Sequence, residues 1–161
     1  DDFDGQIGRD AAMALLEQRD GDNASYLELA EFIENNGAQG RVKADLAQLF
    51  RRVVFNVMAG NRDDHLRNHG FLRVPTGWQI APAFDMNPNP ARGTHELNLD
   101  GATTEPSLDV VLGTGDFYRL TSREAGAIVD EVRSALADWR QSAADLGLPR
   151  SEVQRMETVL P

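Results

Sequence analysis

The chain has 161 residues, of which 41% are hydrophobic, so it is long enough for one domain with a buried core. Its 26 acidic residues outnumber its 16 basic ones and give a net charge of −10, which repels phosphate backbones and argues against a direct nucleic-acid partner. The absence of cysteine excludes disulfides and thiolate chemistry. No apolar run approaches the roughly 20 residues of a membrane span. We expect a cytoplasmic protein without membrane contact.

The first part of the chain contains three helical patterns. The opening stretch DDFDGQIG is acidic and starts without methionine, and we interpret it as a cut end. RDAAMALLEQ predicts a short helix. SYLELAEFIENNG predicts a second helix, because Ser25 and Glu28 have the spacing of a capping box and Gly37 ends the pattern. Over about 41 to 59, apolar residues recur at intervals of three and four and predict the most buried helix.

The periodicity changes after residue 60. GFLRV, the turn PTG and WQIAP predict a small β-hairpin, and the proline-rich residues 82–107 predict a long irregular excursion. LDVVLGTGDFYRL predicts a helix that breaks at its glycines. The run from Thr121 to Gly147 predicts one long helix, with Thr121 and Glu124 as a capping box, and PRSEVQRMETVL predicts a last one. The patterns indicate a mainly α fold of the α+β class with an irregular, polar middle.

The segment NRDDHLRNHGF, residues 61–71, brings many polar groups to the end of the most apolar helix. Asp63 and Asn68 are five apart, and Asp85 follows just beyond a hairpin that would fold it back. Phosphoryl transfer needs one carboxylate for the proton of the acceptor hydroxyl, and an amide oxygen with a second carboxylate to hold Mg²⁺. Asp-x-x-x-x-Asn is the spacing of a kinase catalytic loop, and Phe84 before Asp85 is similar to the flank of a kinase's metal-binding Asp.

Other interpretations of these residues stay open. Asn61 and Asp63 would cap one turn and Asp85 another, since Asp and Asn are the commonest turn formers. His65 and His69 have the four-residue spacing of two metal ligands on a helix. The neighbouring Asn and Gly argue against a helix there and favour a role for His65 in bracing the loop.

Three further features also have two interpretations each. Arg67 either faces phosphate or pairs with Asp63 or Asp64. Asn56, inside the third predicted helix, fits a satisfied core amide that holds the loop backbone better than it fits a ligand. GTGDF at 113–117 lacks the third glycine and the preceding strand of a phosphate-binding loop, so a helix break is favoured.

The central motifs resemble those of a known family. VVFNVMAGNRDDHLRNHGFL followed by WQIAPAFDMNP closely resembles the C-terminal region of HipA-type toxin kinases, where a loop of the form N-x-D-D-H-x-x-N-H precedes a Y/F-D-x-N-P segment. GDNASYLELAEFI is similar to the family's S-Y-L-D/E-L-A segment. The run from AIVDEV to the following tryptophan fits the family's tail. The resemblance covers nearly all of the chain.

The resemblance implies the helical C-terminal lobe of a protein-kinase-like fold, a single domain over 1–161 whose small β-hairpin carries the catalytic and metal-binding loops. It implies a Ser/Thr protein kinase toxin of a bacterial toxin–antitoxin pair, with ATP as donor, Asp63 as catalytic base, and Asn68 and Asp85 on Mg²⁺. Arg67 is a candidate contact to the nucleotide. The implied partners are a helix-turn-helix antitoxin of the HipB type and a protein substrate, in some members a translation factor.

Part of a kinase is missing from the sequence. A kinase holds nucleotide phosphates with a glycine-rich loop and a strand lysine, whereas the one lysine here, Lys43, falls in a predicted helix. We therefore expect a fragment that lacks the nucleotide lobe and is inactive alone. A non-catalytic protein-docking lobe is one alternative. Another is a metal-dependent phosphohydrolase built on a cluster of Asp63, Asp64, His65, His69 and Asp85.

Overall fold

The computed structural model describes residues 9–16, 23–91 and 93–161. Within these ranges the helices are α1 (Ala12–Leu15), α2 (Tyr26–Asn36), α3 (Val42–Met58), α4 (Leu108–Gly113), α5 (Ser122–Ala137), α6 (Trp139–Asp145) and α7 (Arg150–Met156). The strands are β1 (Arg9–Ala11), β2 (Gly70–Val74) and β3 (Gly77–Ile80), and 3-10 turns cover Leu66–Asn68 and Gly115–Tyr118. The mainly helical fold with a small sheet is confirmed. None of the helices in the described ranges combines the length and apolarity needed to cross a bilayer.

Helix α2 begins at the predicted capping box. The Ser25 hydroxyl accepts from the Leu27 backbone N–H at 3.1 Å, and the Ser25 N–H donates to Oε2 of Glu28 at 2.8 Å. These bonds satisfy N–H groups that a helix start leaves without partners. Tyr26, Leu29 and Ile33 face the core and are buried.

Helix α3 lies at the centre of the core. Its buried apolar residues are Leu46, Leu49, Phe50, Val53 and Val54, in the predicted three-and-four pattern. It packs against α2, α4 and α5, and its Phe50 ring meets Tyr118 edge-on with centroids 5.1 Å apart. Because the polar loop starts where this helix ends, the loop is attached directly to a helix that is buried in the core.

The small sheet has three strands in the order β1-β2-β3. The predicted hairpin is confirmed, since β2 and β3 pair antiparallel with Phe71 opposite Ile80. The prediction of a helix from residue 9 is wrong at its start, because residues 9–11 form β1 and pair antiparallel with β2, with Ala11 opposite Gly70. This pairing satisfies backbone groups on the second edge of β2. The opening stretch 1–8 and the end of that predicted helix, 17–18, lie outside the described residues.

The C-terminal third follows the predicted break at GTGDF, since α4 ends at Gly113 and a 3-10 turn follows. The capping box of Thr121 and Glu124 is also confirmed. The prediction of one long helix after this capping box is wrong, because the backbone leaves helical geometry at Asp138, with a ψ of 14°. After this break, Trp139 Nε1 donates to the Pro161 carbonyl at 2.8 Å, so α6 binds the end of the chain.

Candidate active site

A buried carboxylate, Asp64, anchors the loop that leaves α3. Its Oδ2 accepts from the Tyr26 hydroxyl at 2.7 Å and from Asn56 Nδ2 at 2.9 Å, and it lies 2.8 Å from His69 Nε2. All four side chains are buried. Since an ionised carboxylate only accepts, Nε2 of His69 carries the proton of the third bond. Groups from α2, α3 and the residue before β2 thus converge on one oxygen and fix the loop.

The charge state of this cluster follows from its contacts. Burial raises the pKa of the Asp64 carboxyl, but the charge and hydrogen bond of His69, with the hydrogen bond from Tyr26, outweigh burial and hold the pKa below its ordinary value. Burial, reinforced by the Asp64 charge, raises the pKa of Tyr26 well above its ordinary value. Asp64 is therefore an ionised anchor, and Tyr26 is a neutral donor.

Asp63, the neighbour of Asp64, has a different environment. Its side chain is exposed and lines a cleft of about 100 Å³ together with Asp85. Asn61, Asn87, Pro88 and Asn89 complete the lining. The structure thus brings the two carboxylates predicted from sequence to one cleft, and Asp63 is the member of the Asp63–Asp64 pair that reaches it.

Asn68 and Asp85 are in direct contact. Nδ2 of Asn68 donates to Oδ2 of Asp85 at 2.8 Å, and Oδ1 of Asn68 accepts from the His65 backbone N–H at 3.1 Å. The other oxygen of Asp85 accepts from Asn87 at 2.9 Å. Asp85 has a φ of 55°, a left-handed conformation that costs a non-glycine residue free energy and that clusters at functional sites.

The oxygen donors of Asn68 and Asp85 fit Mg²⁺. This ion prefers carboxylate and other oxygen ligands, and proteins commonly hold it with one or two carboxylates plus substrate phosphates. The two cations considered for phosphate are elsewhere: Lys43 pairs with Glu124 at 3.1 Å, joining α3 to α5, and Arg67 is exposed and does not line the cleft. The cleft therefore presents the carboxylates of Asp63 and Asp85, with Asn68 in contact with Asp85 beside it, and neither Lys43 nor Arg67 adds a cation to its lining.

The residues of the phosphohydrolase alternative are divided between two places. Asp64 and His69 are bound to each other in the interior, whereas Asp63 and Asp85 line the cleft. His65 braces the loop through its backbone N–H, as the bond to Asn68 shows. Across the described residues, no group of three or more His, Asp or Glu side chains is placed to hold a metal ion.

Sequence reasoning missed the role of Tyr26 and only partly explained Asn56. The predicted core amide is correct, but Asn56 bonds the side chains of Asp64, Tyr26 and Asn61, and the predicted bond to loop backbone is wrong. One signal was present: Tyr26 follows the capping Ser25 directly and so begins the inner face of α2. Arg52 was also missed; it is buried, donates to the Ala81 carbonyl, and its pKa is lowered by burial.

Fold and site define an α+β domain in which two polar segments, 61–69 and 81–89, meet at one cleft. Residues 3–145 match the family described as HipA-like C-terminal domain, and the chain belongs to that family. The resemblance inferred from its motifs is confirmed.

A solved structure shares the fold. It is a chain of the complex of HipA, HipB and operator DNA from the Shewanella oneidensis MR-1 toxin–antitoxin system, with 17% sequence identity and a TM-score of 0.64. The match covers 89% of this chain and 34% of that one, so this chain spans about a third of the length of its structural relative. No curated protein gives a significant match.

Proposed function

We propose that the chain is the C-terminal catalytic lobe of a HipA-type Ser/Thr protein kinase, which transfers the γ-phosphate of ATP to a protein hydroxyl. The observation that carries the proposal is the contact of 2.8 Å between Asn68 and Asp85 beside a cleft that Asp63 also lines. Membership of the HipA-like family supports the same reaction class.

Asp63, Asn68 and Asp85 each have one task in this reaction. Asp63 accepts the proton of the acceptor hydroxyl while the oxygen of that hydroxyl bonds to the γ-phosphorus. The bond between the γ-phosphorus and the β–γ bridging oxygen breaks, and ADP leaves. Asn68 and Asp85 would hold Mg²⁺, which would supply charge neutralisation on the phosphates. The exposure of Asp63 suits it to meet a protein substrate, whereas Asp64 is buried and keeps the loop in position.

The nucleotide needs further groups that the cleft does not supply. Lys43 is paired with Glu124, and positioning of the phosphates dominates phosphoryl transfer. We therefore propose that the described chain alone phosphorylates nothing at a useful rate, and that activity belongs to a longer protein that also carries a glycine-rich loop and a strand lysine. Robust ATP turnover by the purified 161-residue chain would contradict this.

The partners follow from the same assignment. The structural relative is in a complex with HipB and operator DNA, and we propose a HipB-like helix-turn-helix antitoxin for this protein, with a protein such as a translation factor as substrate. The net charge of −10 supports DNA contact through the antitoxin and not through this chain.

Two substitutions in a kinase that contains this lobe and its nucleotide-binding region test the roles. Asp85→Asn weakens both Mg-ATP binding and turnover, because it changes a metal ligand. Asp63→Asn leaves Mg-ATP affinity nearly intact and lowers turnover by at least about 10²-fold, because a positioned general base is lost. Calorimetric titration and phosphate-transfer rates measure both.

Asp130→Asn is the matched control, because Asp130 is exposed on α5 and its one ion pair among the described residues is with Arg133 on the same helix. It leaves affinity and turnover unchanged. If Asp63→Asn abolishes Mg-ATP binding while Asp85→Asn spares it, the two roles are reversed. If neither substitution alters binding or rate, the kinase proposal fails.

A further inference from the structure

A second concave surface lies between α2 and the 3-10 turn Gly115–Tyr118. The groove has a volume of about 550 Å³, within the range of pockets that hold ligands, and shares no lining residue with the cleft of Asp63 and Asp85. It is therefore separate from the cleft to which the phosphate chemistry is assigned.

One wall of the groove is the outer face of α2. Leu27, Glu31 and Glu34 recur at intervals of four and three, so they share a face of the helix, and all three line the groove. The core-facing side of the same helix begins at Tyr26. These three positions of the outer wall thus combine one apolar side chain with two acidic ones.

The opposite wall is formed by the 3-10 turn and contributes Phe117. This side chain is 59% exposed and is the one aromatic side chain among the exposed large hydrophobic residues of the described ranges. Arg119 follows in a left-handed conformation, with a φ of 55°, and its guanidinium pairs with Glu34 on the facing helix. This ion pair joins the two walls, so the groove is a formed feature in which an apolar ring stands exposed.

The charge of the groove is strongly negative. Glu28, Glu31, Glu34 and Asp116 contribute four carboxylates against the single guanidinium of Arg119, a net charge of −3. Glu34 is neutralised by Arg119, and Glu28 caps Ser25. Glu31 and Asp116 make no ion pair with any described residue. Both carboxylates therefore remain available to a cationic ligand.

We propose that this groove binds a basic segment of a partner protein, in which lysine or arginine residues flank a bulky apolar side chain. The apolar side chain packs on Phe117 and Leu27, while the cations pair with Glu31 and Asp116. Charge selects this occupant: nucleic acid and free phosphates are repelled, and a second copy of this chain brings its own net charge of −10.

The proposal does not depend on kinase activity, so it is tested by binding to the 161-residue chain itself. The probe is a short fluorescein-labelled peptide in which lysines and arginines flank one leucine and one phenylalanine. A second peptide replaces every lysine and arginine by glutamate. Fluorescence anisotropy is expected to detect binding of the basic peptide alone, and the affinity falls as salt is added because screening weakens the charge pairing.

Matched variants locate the site. Charge reversal by Glu31→Lys with Asp116→Lys, and removal of the ring by Phe117→Ser, each weaken binding at least about tenfold. The control for charge is Glu105→Lys with Glu152→Lys, two exposed carboxylates outside the groove, and the control for apolar exposure is Leu146→Ser, at a side chain that is 78% exposed. Both controls bind within about twofold of the unchanged chain.

Several outcomes overturn the proposal. No binding of the basic peptide, equal binding of the acidic peptide, or equal loss in the control variants each removes the assigned site. Self-association of the chain that Phe117→Ser abolishes would identify a second copy as the occupant instead. Circular dichroism of every variant confirms that folding is unchanged, which the exposure of all the substituted side chains favours.

Discussion

The Tyr26 hydroxyl lies 2.7 Å from Oδ2 of Asp64, which joins the first residue of α2 to the loop that carries Asp63. Asn56 donates both to this hydroxyl, at 3.0 Å, and to the same carboxylate oxygen. The three side chains form a closed triangle of hydrogen bonds in the interior. The position of the candidate base is therefore set by a buried network, which reaches the cleft through Asn61, whose Nδ2 donates to Oδ1 of Asn56 at 2.8 Å.

Removing the Tyr26 hydroxyl tests the strength of this network. We expect Tyr26→Phe to lower the free energy of unfolding by about 1–3 kcal/mol, because a buried carboxylate loses a donor and Asn56 loses an acceptor. Tyr118→Phe is the matched control, because the Tyr118 hydroxyl is equally buried but has no hydrogen-bond partner among the described residues. We expect this substitution to lower the free energy of unfolding by no more than about 0.5 kcal/mol, or to raise it. Urea denaturation measures both, and equal losses would contradict the assignment.

The lowered pKa of Asp64 makes stability depend on pH. A carboxyl group whose folded-state pKa lies below its unfolded value contributes fully above about pH 4, and the contribution is lost as pH falls through the folded pKa. We expect Asp64→Asn to be less stable than the unchanged chain by about 2–4 kcal/mol at pH 7, with a difference that narrows below about pH 4. Unfolding both proteins at a series of pH values measures this difference in the free energy of unfolding. A difference that does not change with pH would contradict an ionised Asp64 in the folded protein.

The left-handed backbone at Asp85 predicts that a glycine variant is more stable than an alanine variant, the opposite of the order in a helix. Asp85→Gly and Asp85→Ala both remove the carboxylate, but only alanine keeps a Cβ at a φ of 55°. We therefore expect the alanine variant to be less stable by about 1 kcal/mol or more. At Asp109, in the first turn of α4, the order is the reverse, because glycine is the poorer helix former by about 1 kcal/mol. Thermal or urea unfolding of the four variants measures both orders of stability. If Asp85→Ala is more stable than Asp85→Gly, the backbone at Asp85 is not strained.

The capping box of α5 predicts a low pKa that is measurable at the surface. The pKa of Glu124 is lowered to about 2, first by the Thr121 backbone N–H and then by the hydrogen bond from Lys43. We expect Lys43→Met to raise this pKa while leaving it below the ordinary value of 4.5, since the bond to Thr121 remains. Titration of the side-chain carboxyl carbons by NMR measures it. A full return to the ordinary value would show that Lys43, and not the cap, is the main cause.

The charge of the chain predicts that it does not bind DNA by itself. With a net charge of −10 it has few cations to displace counterions, so we expect a dissociation constant weaker than about 10 µM at physiological salt. A gel-shift assay with the purified chain, with and without an antitoxin, is the measurement. Sub-micromolar binding without an antitoxin would be the contrary result.

Sequence patterns predicted the elements of the fold well where an element depends on interactions between residues that are close in sequence. The capping boxes at Ser25 and Thr121 depend on residues three apart, and both are confirmed. The strand at 9–11 was not predictable in this way, because it forms on the edge of β2, far along the chain. The break at Asp138 was not predicted, and Trp139, the residue after it, donates to the Pro161 carbonyl, a partner that periodicity does not reveal.

The same distinction applies to the candidate site. Asp63, Asn68 and Asp85 were predicted as site residues from spacing and a family resemblance, and the structure brings Asn68 and Asp85 into contact across 17 positions of sequence. The sequence could not predict that Asp63 is exposed and Asp64 buried, because the two side chains are identical and differ only in what surrounds them in the fold. Tyr26, at a separation of 38 positions from Asp64, contributes to that difference and carries no catalytic signature of its own.

The buried position of Asp64 has a consequence for how variants of this protein are interpreted. On the proposed kinase function, a genetic screen that scores only loss of activity would return Asp63 and Asp64 as equivalent hits, since a displaced loop would abolish the reaction as surely as a missing base. The yield of soluble protein separates them. Loss of the interior anchor exposes the chain to proteolysis and aggregation in the cell, whereas loss of the exposed carboxylate leaves a well-folded protein, which would still compete for the proposed substrate and partners. Variants at Asp63 would therefore act as dominant-negative proteins, and variants at Asp64 as recessive ones.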